Sequence, residues 1–261
     1  MSEKPFYENL LNAGSAKVAA AVVRLQTQHT RRIVQSPTFR EGVAGMITKL
    51  IELNRLLSKS FLMEDPSSLN QCERLAKEVH QEEKPLTSYL LRSGGGGKMF
   101  EGVIRFPYRV ERIGDMLETI MHCFRVKIYR EIPFSLKAKE EVGLLLLMLE
   151  EMLKILRDAF LSPDQELLEE IIAHGKKLAH TFEDFKSAHW ERVEKGTSAP
   201  EASSLFREIL DSVKWTNDYL EKIWTSLLLL SEMNRASAVL RMDQVRKTDI
   251  SGDRSTGQVT T

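Results

Sequence analysis

Apolar residues along this chain recur at the three- and four-residue spacing of a helix face. The β-branched and aromatic clusters of strands are missing, and Leu, Glu, Lys, Ala and Met dominate, all good helix formers. Breaks are few: Ser36-Pro37, Asp65-Pro66, Gly94 to Gly97, Ile132-Pro133, Ser162-Pro163 and Gly196 to Pro200. Asp65-Pro66, Ser162-Pro163 and Ser198-Ala199-Pro200 combine a polar cap with a proline whose missing N–H costs nothing at a helix start. The pattern predicts seven helices, near 4–34, 38–63, 66–92, 98–130, 134–161, 164–195 and 199–242. Pro85 and Pro107 fall inside two of them and predict a kink or a boundary. The tail 243–261 is rich in Ser, Thr, Gly and Asp and is expected to be disordered.

The helical stripes repeat. Val110, Ile113, Leu117, Ile120, Met121 and Phe124 in the fourth helix match Val213, Thr216, Leu220, Ile223, Trp224 and Leu227 in the seventh, at one constant offset. Asp115 likewise matches Asp218, and Glu118 matches Glu221. A comparable pair of helices precedes each. One-sided stripes must be buried against neighbours, and three antiparallel helices do this as a bundle. The expected fold is therefore all-α: two tandem three-helix bundles, 38–131 and 133–242, with an extra N-terminal helix in 1–37 and the tail 243–261.

Lys+Arg and Asp+Glu are 37 each, so the formal charge is zero. That balance excludes a general nucleic-acid binder, which needs a basic excess. The longest apolar runs, Leu144 to Leu149 and Leu227 to Leu230, fall far short of the roughly 20 residues of a membrane span. No targeting signal is visible. Cys72 and Cys123 have no metal-finger spacing and read as buried small apolar residues. The expected location is the cytoplasm.

Candidate chemistry lies in the carboxylates. Glu111 and Asp115, four apart, share one helix face, Glu118 continues the row, and His122 follows. Such oxygens suit divalent cations such as Mg²⁺, Mn²⁺, Fe or Zn²⁺; a solvated polar face beside Arg109 and Arg112 is the alternative. Glu83 falls inside the stripe of Cys72, Ala76, Val79, Leu86 and Leu90, so it is expected to meet a cation, a base or a metal. Glu183 and His180 occupy the corresponding places of Glu83 and His80 in the second half. There Lys214 and Asp218 replace the acidic pair and are spaced for an ion pair. Enzyme signatures fail: Gly94 to Lys98 lacks the spacing and the preceding strand of a phosphate loop, and no nucleophile elbow or HExxH is present. No catalytic residue and no enzymatic activity are expected.

The stretch Tyr108-Arg109-Val110-Glu111-Arg112-Ile113-Gly114-Asp115 resembles the signature of the PhoU family of phosphate-uptake regulators. His189-Trp190-Glu191-Arg192-Val193-Glu194-Lys195-Gly196 with Phe206-Arg207-Glu208-Ile209-Leu210 is similar to the PhoU domains of sodium/phosphate cotransporters. The resemblance covers roughly 40–232 and includes the doubled layout. It implies a protein that binds divalent metal ions through carboxylates and signals phosphate status to a membrane phosphate transporter and a sensor kinase. Carried over by position, the metal residues are Glu111, Asp115, Glu83 and Asp218, to which the repeat adds Glu183. The second half departs from the pattern, with Lys214 for Glu and Trp215-Thr216-Asn217 for Arg-Ile-Gly, and Thr87 and Ser187 stand where acids are expected. A metal-independent helical adaptor or transporter subunit is the alternative, and a homodimer is left open.

Overall fold

A computed structural model describes residues 23, 25–94, 97–162 and 165–252. The described residues form helices and short connections, with no strand among them. A helical stretch over 25–35 leads into α1 (Pro37–Met63), α2 (Pro66–Arg92), α3 (Gly97–Val103), α4 (Phe106–Tyr129), α5 (Leu136–Leu161), α6 (Gln165–Glu194) and α7 (Pro200–Gly252). The expected N-terminal helix before residue 23 and the tail 253–261 lie outside the described residues. Residues 243–252, expected to be disordered, instead prolong α7.

Local chemistry sets most of the boundaries. Ser36 accepts from the Phe39 N–H and Asp65 from the Ser67 N–H, each directly before a proline. Ser135 caps α5 through the Ala138 N–H. The single helix expected over 98–130 is two, α3 and α4, with Ile104 and Arg105 in a turn between them. Pro107 explains the break: it has no N–H to give the carbonyl of Val103, and its ring crowds that carbonyl. Pro107 then sits in the first turn of α4, where no N–H is needed. Pro85, by contrast, stays within a continuous α2.

α1 packs on α2 and α4, and α2 on α4; α5 and α7 both pack on α6. The halves meet through like helices, α1 on α5 and α4 on α7. The repeated stripe lies at this centre: Val110, Ile113, Leu117, Ile120 and Phe124 are fully buried, as are Val213, Thr216, Leu220 and Ile223. Trp224 replaces Met121 in the second copy. Gly175 on α6 makes room for it, since a Cβ there would lie 2.8 Å from the indole.

Two aromatic groups tie the halves together. Phe39 of α1, Phe106 of α4 and Phe160 of α5 meet at centroid distances of 6.1, 5.4 and 6.2 Å. At the other end Phe61 stacks on Phe124 at 4.6 Å and meets Phe134, which reaches Phe206, itself stacked on His189 at 4.7 Å. Each such pair adds about 0.5–1.5 kcal/mol beyond its buried area. Buried Asn54 crosses the seam, donating to the Leu146 carbonyl at 2.8 Å. Cys72 and Cys123 are buried free thiols whose pKa burial raises to about 12.

The stretch from His189 to Gly196 builds a latch. Arg192 forks both oxygens of Glu141, at 2.9 and 2.6 Å, and Glu141 is 1% exposed. His189 shares a hydrogen bond of 2.9 Å with the Ser203 hydroxyl at the start of α7.

Removing one partner of such a pair strands a buried charge. Arg192→Met is expected to cost about 3–5 kcal/mol in urea unfolding, and Glu141→Met/Arg192→Met much less. Burial, helped by Arg192, holds the His189 pKa below its ordinary 6.5. The folded chain thus favours neutral imidazole. Its contribution is complete above about pH 6.5 and is lost as pH falls through the lower folded-state value. His189→Gln is expected to flatten that part of the pH–stability curve, measured as melting temperature from about pH 7 to 5.

Candidate acidic site on the second and fourth helices

The acidic row lies where α4 packs on α2. Gly114 is buried midway along it, and a Cβ there would stand 3.5 Å from Leu50 and 3.6 Å from Val79. An alanine would therefore fit, but a longer side chain would part α4 from α1 and α2. With the helices this close, His80 of α2 reaches across, and its Nδ1 lies 2.9 Å from Glu111 Oε1. The Glu111 side chain is 13% exposed and that of His80 57%, so the pair sits at the rim of the seam.

Asp115, one turn on, is held by Arg112 through Nη1 on Oδ2. Burial first, and then the neighbouring Glu111 and Glu118, push the Asp115 pKa above the usual carboxylate value, while Arg112 and His80 pull the other way. Arg112 also reaches Tyr219 of α7, a hydrogen bond that raises the arginine's own pKa. Its Nε is buried and has no partner among the described residues. Carboxylates crowded together are thus offset by a histidine and an arginine of the same chain.

The other expected metal residues stand apart. Glu83 is half-buried and accepts the Thr87 hydroxyl at 2.7 Å within α2, so the expected cation, base or metal beside it is not what satisfies it. Its stripe is covered less fully there than at Val79 and Leu90, and the carboxylate lies at the edge. Glu183 is exposed on α6, with Lys186 at 3.8 Å. Asp218 is half-buried on α7 and has no hydrogen bond or ion pair among the described residues, while Lys214 points to solvent without bridging to it. Among the described residues, no three His, Cys, Asp or Glu side chains converge so as to hold a metal ion. Glu111, Asp115, Glu83, Asp218 and Glu183 in this arrangement therefore do not fit a metal centre. Glu111 and Asp115 alone share a face, a polar side of α4 that His80 and Arg112 contact.

Arg112 at i−3 from Asp115 is a spacing visible in the sequence. The His80–Glu111 and Glu141–Arg192 contacts are not, because each joins different helices.

No family model matches the chain, and no curated protein matches it. Among solved structures, a crystal structure of a PhoU-like protein from Shewanella oneidensis MR-1 is similar at 12% identity and a TM-score of 0.48, covering 74% of this chain and 99% of that one.

An aspartate whose folded-state pKa is raised opposes folding once it is ionised and ceases to do so as pH falls and it binds its proton. Asp115→Asn is therefore expected to stabilise the chain at neutral pH, by up to about 1 kcal/mol given its partial exposure. The gain should vanish near pH 4 (about the ordinary carboxylate value), measured by thermal melts across pH.

Proposed function

We propose that this chain is a cytoplasmic, non-enzymatic regulator of phosphate transport that acts by contact with a membrane phosphate transporter, and through it with a sensor kinase. The observation that carries the reading is the Glu111-Arg112-Ile113-Gly114-Asp115 stretch, placed on the helix that packs both on His80's helix and on its own counterpart α7. Its likeness to the PhoU signature supplies the phosphate connection. No helix of the described residues is long and apolar enough to cross a membrane, so a membrane role would run through a partner.

The contact itself does not require a metal. Glu111 and Asp115 already meet His80 and Arg112, and a partner's basic side chains can exchange with those neighbours at the partly exposed rim. Divalent ions such as Fe, Zn, Mn or Mg would need a further ligand from a partner or a shift of the helices.

The tagged full-length chain, captured from detergent-solubilised membranes of its own host with and without EDTA, tests this reading. The expected result is co-purification of a phosphate-transporter subunit, unaffected by EDTA and weakened at least about tenfold by Glu111→Ala/Asp115→Ala. Metal analysis of the same preparation is expected to find less than one ion per chain. Capture only in the presence of stoichiometric metal would establish the metal-loaded alternative, and absence of any phosphate transporter would remove the reading.

A further inference from the structure

A second feature lies apart from the carboxylates of α4. α1 and α2 run antiparallel, with Gly42 against Leu86 and Lys49 against Glu82. α4 packs on both from the inner side. Elsewhere between them an open groove of about 410 Å³ is lined by these two helices alone. Thr38, Glu41, Gly42 and Gly45 line one wall. Glu78, Glu82, Pro85 and Tyr89 line the other. Both sets recur at three- and four-residue spacing, so each is a single helix face. From Glu78 to Tyr89 the groove runs for about 16 Å.

The floor is apolar. Leu86 lies beneath it, 7% exposed, and comes so near α1 that a Cβ on Gly42 would stand 3.1 Å from it. Gly45 leaves the α1 backbone bare, since a Cβ there would meet nothing within 4 Å. Pro85 adds an apolar ring and brings no N–H to the carbonyl of Gln81, another lining residue. The rim, by contrast, is acidic. Glu78 and Glu82 share one cation, Lys49, whose Nζ lies 3.5 Å from Glu78. Glu41 is exposed and has no hydrogen bond or ion pair among the described residues. None of the described lining residues is basic. Three carboxylates thus border an apolar trough with a single lysine between them.

We propose that this groove docks a basic amphipathic helix of a partner protein, whose aliphatic side chains lie over Gly42, Gly45, Pro85 and Leu86 and whose Lys or Arg side chains pair with Glu41 and Glu82. Two antiparallel helix faces with a valley between them are the complement of a third helix. The glycines on α1 let a bulky side chain of that helix come close to the backbone. The excess of carboxylates selects the sign of its charge, because an acidic helix would set like charges together. Covering the apolar floor supplies most of the affinity, since ion pairs at an exposed rim contribute little. The proposal stands apart from the phosphate-transport reading and does not depend on it.

Fluorescence anisotropy of labelled synthetic peptides of about 18 residues, titrated with the full-length chain, tests it. One peptide carries Leu along a single helix face and Lys elsewhere, the second has Glu in place of Lys, and the third scrambles the first so that no apolar face forms. The Leu/Lys helix is expected to bind with Kd below about 100 μM, and the other two at least about tenfold more weakly. Gly45→Leu, which fills the groove and leaves its charges in place, is expected to weaken that binding at least about tenfold while raising the melting temperature, since a helix interior gains from losing glycine. Glu41→Gln is expected to weaken it about threefold, as fits a rim pair, and Glu191→Gln on α6 to leave it unchanged. Should Gly45→Leu fail to fold, Glu41→Gln against Glu191→Gln still decides. No binding of the Leu/Lys helix, equal binding of either other peptide, unchanged affinity in Glu41→Gln or in folded Gly45→Leu, or an equal loss in Glu191→Gln would overturn the proposal.

Discussion

The structure depends on the pairing of like helices across its centre. α1 lies on α5 and α4 on α7, so the apolar stripe that the two halves share is also the surface that joins them. Each half has three principal helices and more apolar surface than they can cover by themselves. Burial of the remainder is the main driving force for the halves to associate. The two aromatic groups, Phe39–Phe106–Phe160 and the series from Phe61 to His189, hold opposite ends of that seam. Asn54 adds direction, because its amide meets one particular carbonyl of α5.

The charged groups are arranged around this core. Glu141 is buried and fully matched by Arg192, whereas Glu111 and Asp115 of α4 lie at a rim and are matched by one neighbour each. The first arrangement resists change, since either partner alone is costly. The second is less constrained, since Asp115 and His80 keep partial access to water. The stretch from His189 to Arg192, which resembles part of a family signature, serves the first kind and is structural.

Much of the fold was legible because it follows from periodicity and caps. Ser36, Asp65 and Ser135 mark helix starts by side-chain chemistry alone, and the stripe beginning at Val110 repeats as Val213 with the same burial. Pro107 signalled a boundary, but periodicity by itself could not tell a kink from a break. The candidate site was only half legible. The spacing of Glu111 and Asp115 shows that they share a face, but not which side chain lies across the groove. That depends on how far α2 slides along α4, which places His80 opposite Glu111. Glu83 misled for a related reason: a position within a stripe is buried only where a neighbour covers it.

All three tryptophans, Trp190, Trp215 and Trp224, belong to the second half, whereas helix content is spread over both. Urea unfolding followed in parallel by tryptophan fluorescence and far-ultraviolet circular dichroism therefore separates one shared core from two independent bundles. A single core joined through like helices gives superimposable transitions with one midpoint and one slope. A dichroism curve with two steps, only one of them accompanied by fluorescence, would contradict it.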